Sequence, residues 1–410
     1  MSDAAPRLRR VEAFPVEHEG RSCVALRDPA GYTDAVVLLQ GPLLEIVSLF
    51  DGEHTFAEIQ AAVVRRHGGE LIERRQIEEI AEALDQQGFL DSPGFAQRRA
   101  AIDADFLAAP TRQATHAGGA YAGEADDLRT MIDGFFDPPD GPGPIAGHRA
   151  DGARVRAVIA PHIDFHRGGP AYGWAYRDVA ERCDADLFVI FGTCHTGMEH
   201  PWALTLKDYE SPLGAAQVDR DFVEALAKRS RQDCFGSELA HRTEHSIEFQ
   251  AVCLRYLYAG RRDIRIVPVL ASFAHEAMLA GHGPEADPRV PRFLDALADT
   301  IATSGRRVAL VAGADLAHVG PRFGDSEPVS ATELARIERE DRAMLEPVAA
   351  GDAGAFFESV ARDNDRRRIC GLSPIYAVLK ALGTAAGRVR RYGQWPDPQG
   401  VVSFASVSFE

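Results

Sequence analysis

The segment that decides the fold reads Val155-Arg-Ala-Val-Ile-Ala-Pro-His-Ile-Asp-Phe-His166. Its first half is a short apolar run, typical of a strand that is buried in a sheet. Similar runs occur at Leu187–Phe191, Ile264–Leu270 and Val308–Ala312. Because amphipathic helical patterns lie between these runs, the sequence predicts an α/β domain with a mixed, largely parallel sheet flanked by helices. The helical patterns include Arg220–Arg229, Arg292–Thr303 and Ala331–Ala349.

Polar residues follow three of these predicted strands at their carboxyl ends. His162 follows the first strand, His195 follows the second, and Asp315 and His318 follow the last. In an open α/β sheet, ligands bind in the crevice beyond the carboxyl ends of the strands. If these strands are parallel, we therefore expect the four side chains to meet in one cleft.

The triplet His162-Ile-Asp164-Phe-His166 adds candidate metal ligands. In an extended backbone its three polar side chains would share one face, because the strand period is two residues. Two imidazoles and a carboxylate with open positions suit iron(II), manganese(II) or zinc. One triplet of this kind is a weak signal, whereas three histidine-bearing strand ends form a stronger one.

A fourth polar segment, His241-Arg-Thr-Glu-His245, precedes an apolar helical run. Its two histidines are one helical turn apart, so both can face the same direction. The Glu stands directly before the second His, so the segment differs from the zinc-protease pattern. We expect Glu244 and His245 to act in acid–base catalysis and substrate hydrogen bonding. Packing at a helix start is the alternative, and it applies best to His241.

The composition excludes several classes of function. The chain has 410 residues and a formal net charge of −16, which argues against a general nucleic-acid binder and against docking on an anionic membrane. No stretch approaches the roughly 18 apolar residues of a membrane helix. The N-terminus lacks an apolar signal core, and the six cysteines form no Cys-x-x-Cys pair. We expect a cytoplasmic protein.

The first 95 residues predict a small, separate α+β domain. Two β-rich runs, Cys23–Arg27 and Thr33–Leu39, precede three short helical patterns, an order that is winged-helix-like. Residues 1–95 contain nine Arg and no Lys against 17 acidic residues, for a net charge of −8. Such a domain is not expected to read DNA. A small helical appendage without a ligand is the alternative.

Two short motifs in this region resemble those of PqqD-like domains. They are Leu43-Leu-Glu-Ile-Val-Ser-Leu-Phe-Asp-Gly-Glu-His-Thr55 and Gly88-Phe-Leu-Asp91. PqqD-like domains are small peptide-recognition modules that accompany radical-SAM and peptide-modifying enzymes. The resemblance implies a peptide-recognition domain at 1–95, a linker at 96–120 and a large α/β domain at 121–410.

Eight further motifs, spread over about residues 115–410, occur in the order found in the Memo-like family. The motifs are Ala160-Pro-His162, Phe191-Gly-Thr-Cys-His195, Tyr209-Glu-Ser-Pro-Leu-Gly214, Val218-Asp219, Glu244-His-Ser-Ile-Glu248, Ile266-Val-Pro-Val-Leu270, Ala314-Asp-Leu-Ala-His318 and Ile369-Cys-Gly-Leu-Ser-Pro374. Bacterial members of this family are called AmmeMemoRadiSam system protein B. Their fold is similar to that of class III extradiol dioxygenases, which use two His and a carboxylate on iron(II).

The resemblance implies that His162 and His195 bind a metal and that His245 lines the same pocket. Memo itself has a cysteine as its third ligand, and Ala317 stands at that place here. Either another residue supplies the third ligand, or metal binding is weak or absent. The candidates for this third ligand are Asp164, Asp315 and His318.

The resemblance also implies a function, a metal-dependent and dioxygenase-like redox protein that acts with a radical-SAM enzyme. An AMMECR-type protein or a peptide substrate would be a further partner. The expected metal is iron(II), with copper or zinc as alternatives, and the catalytic candidates are His245, Glu244 and His318. A non-catalytic adaptor that binds a metal or a peptide is the rival hypothesis, and Ala317 favours it. Metal-assisted hydrolysis at the same site is a third hypothesis.

Overall fold

The computed structural model describes residues 5–66, 72–148 and 154–410. It divides into two compact units, of which the first ends at Ala108 and the second is Ala109–Glu410. The sequence predicts a domain boundary at 95, but the first unit continues beyond it through a helix, Pro93–Ala108. The Arg98 guanidinium on this helix donates a hydrogen bond to the Gln86 carbonyl oxygen at 3.0 Å, which ties the helix to the rest of the unit.

The first unit consists of an antiparallel three-stranded sheet and four helices. Its elements are β1 (Glu12–His18), β2 (Arg21–Arg27), β3 (Val37–Leu39), α1 (Gly41–Ser48), α2 (Phe56–Arg66), α3 (Arg74–Gln86) and α4 (Pro93–Ala108). Strand β1, which the sequence does not predict, pairs along its whole length with β2. The helices bury Ile59, Ile77 and Phe89 completely. The winged-helix-like and PqqD-like interpretations of this unit stay predictions.

The second unit contains a mixed sheet, as the sequence predicts. Its strands are β4 (Thr111–Arg112), β5 (Ala157–Ala160), β6 (Leu187–Thr193), β7 (Trp202–Leu204), β8 (Asp208–Tyr209), β9 (Arg265–Ala271), β10 (Val308–Gly313), β11 (Asp315–Val319), β12 (Gly387–Asp397) and β13 (Gly400–Phe409). In the described part of the chain, eight of them form one sheet in the order β11-β13-β5-β10-β6-β9-β7, with β12 on β13. The four central strands, β5, β10, β6 and β9, are parallel.

Helices flank this sheet. They are α5 (Ala125–Asp133), α6 (Phe165–Arg182), α7 (Arg220–Ser230), α8 (His245–Tyr258), α9 (Ala274–Leu279), α10 (Arg289–Ser304), α11 (Ala331–Ala349), α12 (Ala353–Ala361) and α13 (Leu372–Leu382). The helices predicted from amphipathic spacing correspond to α7, α10 and α11. Over residues 5–66, 72–148 and 154–410, none of the helices combines the length and the apolar character that a membrane span requires.

The register of the parallel strands brings three strand ends to one level. Gly313 at the end of β10 lies opposite Ala160 of β5 on one side and Gly192 of β6 on the other. The residues that follow these positions therefore leave the sheet side by side. This geometry confirms the parallel arrangement on which the predicted cleft depends.

Strand β13 differs from its sequence pattern. The alternation of apolar and serine residues over 401–409 suggests an antiparallel edge strand, but β13 pairs with β12 on one side and with β11 and β5 on the other. Its serines are buried, and the hydroxyls of two of them find buried partners. Ser403 donates to the Asp341 carboxylate at 2.5 Å, and Ser406 donates to the Ala171 carbonyl oxygen at 2.5 Å.

Candidate metal centre

Three histidines come together beyond the strand ends. One ring nitrogen from each of His162, His195 and His245 lies within 4.8 Å of the other two. The ring of His195 stacks on that of His245, with 4.6 Å between centroids and 15° between planes. His162 is buried, His245 is partly buried and His195 is exposed, so the group opens to solvent on the His195 side. The sequence predicts all three residues here, and we call them the histidine group.

The tautomer of His162 is fixed by a backbone carbonyl. Its Nδ1 lies 2.9 Å from the Gly313 carbonyl oxygen. Because a carbonyl oxygen only accepts hydrogen bonds, Nδ1 carries the proton and Nε2 keeps a lone pair. Burial lowers the pKa of His162 to about 3, so the imidazole is neutral. A neutral imidazole is the form that binds a metal.

His195 is oriented by the Glu244 carboxylate. Its Nδ1 lies 3.0 Å from both carboxylate oxygens, and its backbone N–H donates to Glu244 Oε2 at 2.9 Å. Burial alone would lower the pKa of His195, but the Glu244 charge outweighs burial and raises that pKa. A carboxylate behind a histidine is the usual way in which proteins orient a metal-binding imidazole.

The contacts of Glu244 favour an orienting role, and its predicted part in acid–base catalysis stays a prediction. Burial raises its pKa, but His195 and His245 lower it by more, and the net pKa is well below the ordinary glutamate value. Its Oε1 also accepts from the Ser246 N–H at 2.9 Å, which caps helix α8. These partners favour the ionised carboxylate, which is the form that orients the His195 imidazole.

His245 is the first residue of helix α8, and burial lowers its pKa well below the usual range. The helix start reaches the sheet because two strand residues lack side chains. A Cβ on Gly313 would lie 2.3 Å from the Ser246 carbonyl oxygen, and a Cβ on Gly192 would lie 2.4 Å from Ser246 Oγ. Real Cβ contacts are never this short, so glycine at both positions lets His245 approach His162 and His195.

Asp315 borders the histidine group. Its Oδ1 accepts from the His162 backbone N–H at 2.9 Å, and its Oδ2 lies 3.7 Å from His162 Nε2. Burial raises the pKa of Asp315 to about 6. His318 lies on the same strand, with its Nδ1 donating to the Leu316 carbonyl oxygen at 3.1 Å and its ring packed on Phe323. His318 does not belong to the histidine group.

The extended triplet predicted at His162, Asp164 and His166 is wrong, because helix α6 begins at Phe165. The helical backbone turns His166 outward, where it is exposed. The Asp164 carboxylate forms an ion pair with Arg167 on the first turn of the helix. The structure therefore places Asp164 against Arg167 and not in the histidine group.

Two residues near the group are missed by reasoning from sequence. Cys370 Sγ lies 3.2 Å from His162 Nε2, although Cys370 is 208 positions away in the chain. His116 lies in the loop after β4, with its ring centroid 5.4 Å from that of His245 and its Nδ1 2.9 Å from Glu248 Oε2. Cys370 lies in the motif Ile369-Cys-Gly-Leu-Ser-Pro374, but nothing in that motif indicates a contact with His162, and His116 lies in no motif. Only the tertiary fold brings the two residues here.

His241 and Cys194 have structural surroundings. His241 is completely buried, with Nδ1 2.7 Å from the Tyr209 hydroxyl and Nε2 3.0 Å from the Ala203 carbonyl oxygen. Burial lowers its pKa to about 3. Cys194 is buried beside Thr196, and burial raises its pKa to about 11, so its thiol is not a reactive thiolate.

Comparison with known proteins relates the second unit to one family. A family model described as "Memo-like protein" matches residues 112–408. A MEMO1 family protein of Aquifex aeolicus is 25% identical over 405 residues, covering 98% of this chain and 99% of its own length. A MEMO1 family protein of Aeropyrum pernix is 30% identical over 308 residues, covering 72% of this chain and 98% of its own. One of Methanopyrus kandleri is 29% identical over 303 residues, covering 72% and 96%.

Proposed function

Because the chain belongs to the Memo-like family, we propose that it is a metal-dependent redox protein whose metal is held by His162, His195 and His245. The observation that carries this proposal is the approach of the three ring nitrogens to within 4.8 Å. Iron(II) is the proposed metal, with copper or zinc as alternatives, because imidazole suits all three.

The donor set fits such a metal. His162 presents the lone pair of Nε2, because its Nδ1 donates to the Gly313 carbonyl oxygen. The Glu244 carboxylate holds His195 by Nδ1, which leaves Nε2 of His195 as the ligating atom. Both contacts are of the kind that orients ligands around metals in proteins. Asp315, with its Oδ2 3.7 Å from His162 Nε2, is close enough to serve as a carboxylate ligand.

When bound, the metal would supply Lewis-acid and redox chemistry at this position. The chain itself orients the ligands and leaves the exposed His195 side open for a substrate or oxygen. His318, three residues after Asp315 on strand β11, is the proposed residue for proton transfer. The Glu244 carboxylate fixes the direction of His195.

We also propose that the protein works with partners, namely a radical-SAM enzyme and an AMMECR-type protein or peptide substrate. The first unit, which ends at Ala108, would recruit them, because its resemblance to peptide-recognition modules points to that role. The adaptor hypothesis keeps this recruitment but not the redox chemistry, and Ala317 favours it. Pull-down with the full chain and with Ala109–Glu410 tests the recruitment, and equal capture by both forms contradicts it.

The metal hypothesis is tested by elemental analysis of protein purified anaerobically from iron-supplemented cells. We expect a transition metal in the wild type and its loss in His162→Ala. The matched control is His282→Ala, since His282 is exposed and outside the histidine group. No transition metal in the wild type, or equal metal in His162→Ala, contradicts the hypothesis.

A further inference from the structure

The thiol of Cys370 points at the atom of His162 that is available to a metal. Cys370 Sγ lies 3.2 Å from His162 Nε2. That nitrogen has a lone pair, because Nδ1 donates to the Gly313 carbonyl oxygen. Of the six cysteines, all of which the structure describes, five are buried and Cys370 alone is partly exposed. Its thiol lies against the histidine group.

Backbone contacts hold Cys370 in this position. Its carbonyl oxygen accepts a hydrogen bond from Thr193 Oγ1 at 3.0 Å, at the end of strand β6. The next residue, Gly371, donates its N–H to the Asp315 carbonyl oxygen at 3.0 Å. A Cβ on Gly371 would lie 2.5 Å from that oxygen, so only glycine permits the approach. These two hydrogen bonds hold the cysteine segment against the end of strand β6 and the start of strand β11.

The segment before Cys370 has an unusual backbone. Asn364, Asp365 and Arg368 have φ angles of 54°, 50° and 54°, in the left-handed region that residues other than glycine rarely adopt. The Asp365 carboxylate accepts from the Ile369 N–H at 2.7 Å and lies 2.9 Å from His275 Nε2, which stabilises the conformation. Backbone strain of this kind persists where the surroundings impose it, and it concentrates at functional sites.

We propose that Cys370 is a sulfur ligand of the metal centre, an inference that rests on the proposed function and deepens it. With metal–sulfur bonds of about 2.3 Å and metal–nitrogen bonds of about 2.0–2.1 Å, a sulfur and a nitrogen on one tetrahedral metal lie roughly 3.5 Å apart. The separation of 3.2 Å between Sγ and Nε2 is close to this value. Cys370 Sγ does not lie within 4.8 Å of all three ring nitrogens of the histidine group. Because its near neighbour is His162 Nε2, the sulfur would reach the metal from the His162 side.

Cys370 would bind the metal ion without a change in the oxidation state of the sulfur or of the metal. The Cys370 thiol releases its proton to solvent, and a lone pair of the resulting thiolate forms the bond to the metal. The S–H···Nε2 contact is replaced by two bonds to the same ion. Because thiolate is a soft ligand, this centre should prefer cobalt(II), zinc or copper(I) to manganese(II).

Cobalt(II) is the probe for this proposal, and the full chain is loaded with it under anaerobic conditions. We expect a thiolate-to-cobalt charge-transfer band in the near ultraviolet and, by X-ray absorption, a sulfur neighbour at about 2.3 Å. Cys370→Ser should lose both signals and bind cobalt at least ten-fold more weakly. Cys194→Ser is the matched control, because Cys194 adjoins His195 but is buried beside Thr196, and it should keep both signals. Circular dichroism and thermal melting of Cys370→Ser check that it folds.

A second measurement does not require a variant. Burial raises the pKa of the Cys370 thiol, so the reaction is run at alkaline pH. Under these conditions iodoacetamide should alkylate Cys370 in the metal-free protein before the other five cysteines, which are buried, and cobalt should slow the reaction. Cobalt bound through nitrogen without a sulfur signal overturns the proposal and leaves the histidine centre standing. A sulfur signal that survives in Cys370→Ser and disappears in Cys194→Ser also overturns it. If wild-type protein binds no cobalt, both this proposal and the proposed function fail.

Discussion

At the scale of single residues, the tautomer and the pKa of His162 and His195 depend on the group that each Nδ1 contacts. A carbonyl oxygen faces Nδ1 of His162, whereas a carboxylate faces Nδ1 of His195. The carbonyl fixes a tautomer without adding charge, and burial then lowers the pKa of His162 to about 3. The carboxylate adds a full charge, which outweighs burial and raises the pKa of His195. Two chemically identical side chains of the histidine group thus have pKa values that are shifted in opposite directions.

The first prediction concerns Glu244, whose carboxylate orients His195. Glu244→Gln keeps the shape of the side chain but removes the charge and replaces one acceptor oxygen by a donor NH₂ group. We expect zinc or cobalt affinity to fall about 10–100-fold, the usual effect of losing an outer-shell partner. Competition titration against a chelator measures it. Glu224→Gln, at an exposed position on helix α7, is the control and should bind like the wild type. Unchanged affinity in Glu244→Gln would show that His195 needs no carboxylate.

The sequence predicts part of this site because the strand pattern is local. His162 and His195 follow their apolar runs within two and four residues, so recognising the strand is enough to locate them. Asp164 could not be placed in this way, because its position depends on whether helix α6 begins at once or after an extended segment. The place of Cys370 in the site cannot be predicted from sequence for another reason. Its contact with His162 spans 208 positions and requires the completed sheet.

At the scale of elements, the site is the junction between helix α8 and the strands β6 and β10. The four central strands are predictable from their apolar runs, since strands buried on both faces contain few polar residues. Strand β13 is not predictable, because its alternating serines suggest a solvent-facing edge, whereas the hydroxyls of Ser403 and Ser406 bond Asp341 and the Ala171 carbonyl oxygen. A buried partner for a hydroxyl cannot be seen in the sequence of the strand alone.

The second prediction tests the contact between helix α8 and strand β10. In Gly313→Ala, the new methyl group would lie 2.3 Å from the Ser246 carbonyl oxygen and displace the start of the helix, with Glu244 and His245. Such overpacking costs about 1–3 kcal/mol of unfolding free energy. We expect this loss in urea melts, together with weaker cobalt binding. Gly134→Ala is the control, since Gly134 has a φ of −63° and open space around its Cβ position. Equal cobalt binding by both variants would mean that cobalt binding does not depend on the position of the start of helix α8.

At the scale of the whole second unit, its first residues are fastened to helix α8 by a buried ion pair. Arg112 is completely buried and pairs with Glu248, and it also donates to the carbonyl oxygens of His241 at 3.1 Å and Glu244 at 2.8 Å. Glu248 also accepts from the Tyr121 hydroxyl. A buried pair whose remaining donors and acceptors are satisfied is costly to break from one side. The pair therefore joins the loop that carries His116 to the helix that carries His245.

The last prediction is that this ion pair makes stability depend on pH in the acid range. Burial raises the pKa of Glu248, but Arg112 and its other partners lower it by more, to about 2, from an ordinary value of 4.5. The folded state thus keeps the carboxylate ionised where the unfolded state protonates it. The stabilisation is complete above pH 4.5 and is lost as the pH falls toward 2.

Glu248→Gln should lose about 3–5 kcal/mol of unfolding free energy at neutral pH, because Arg112 stays buried without a counter-charge. Urea melts at several pH values should show the difference between wild type and variant shrinking from pH 4.5 to pH 2. Glu224→Gln should follow the wild type throughout, and a difference that stays constant over this range would mean that the Glu248 charge does not stabilise the fold.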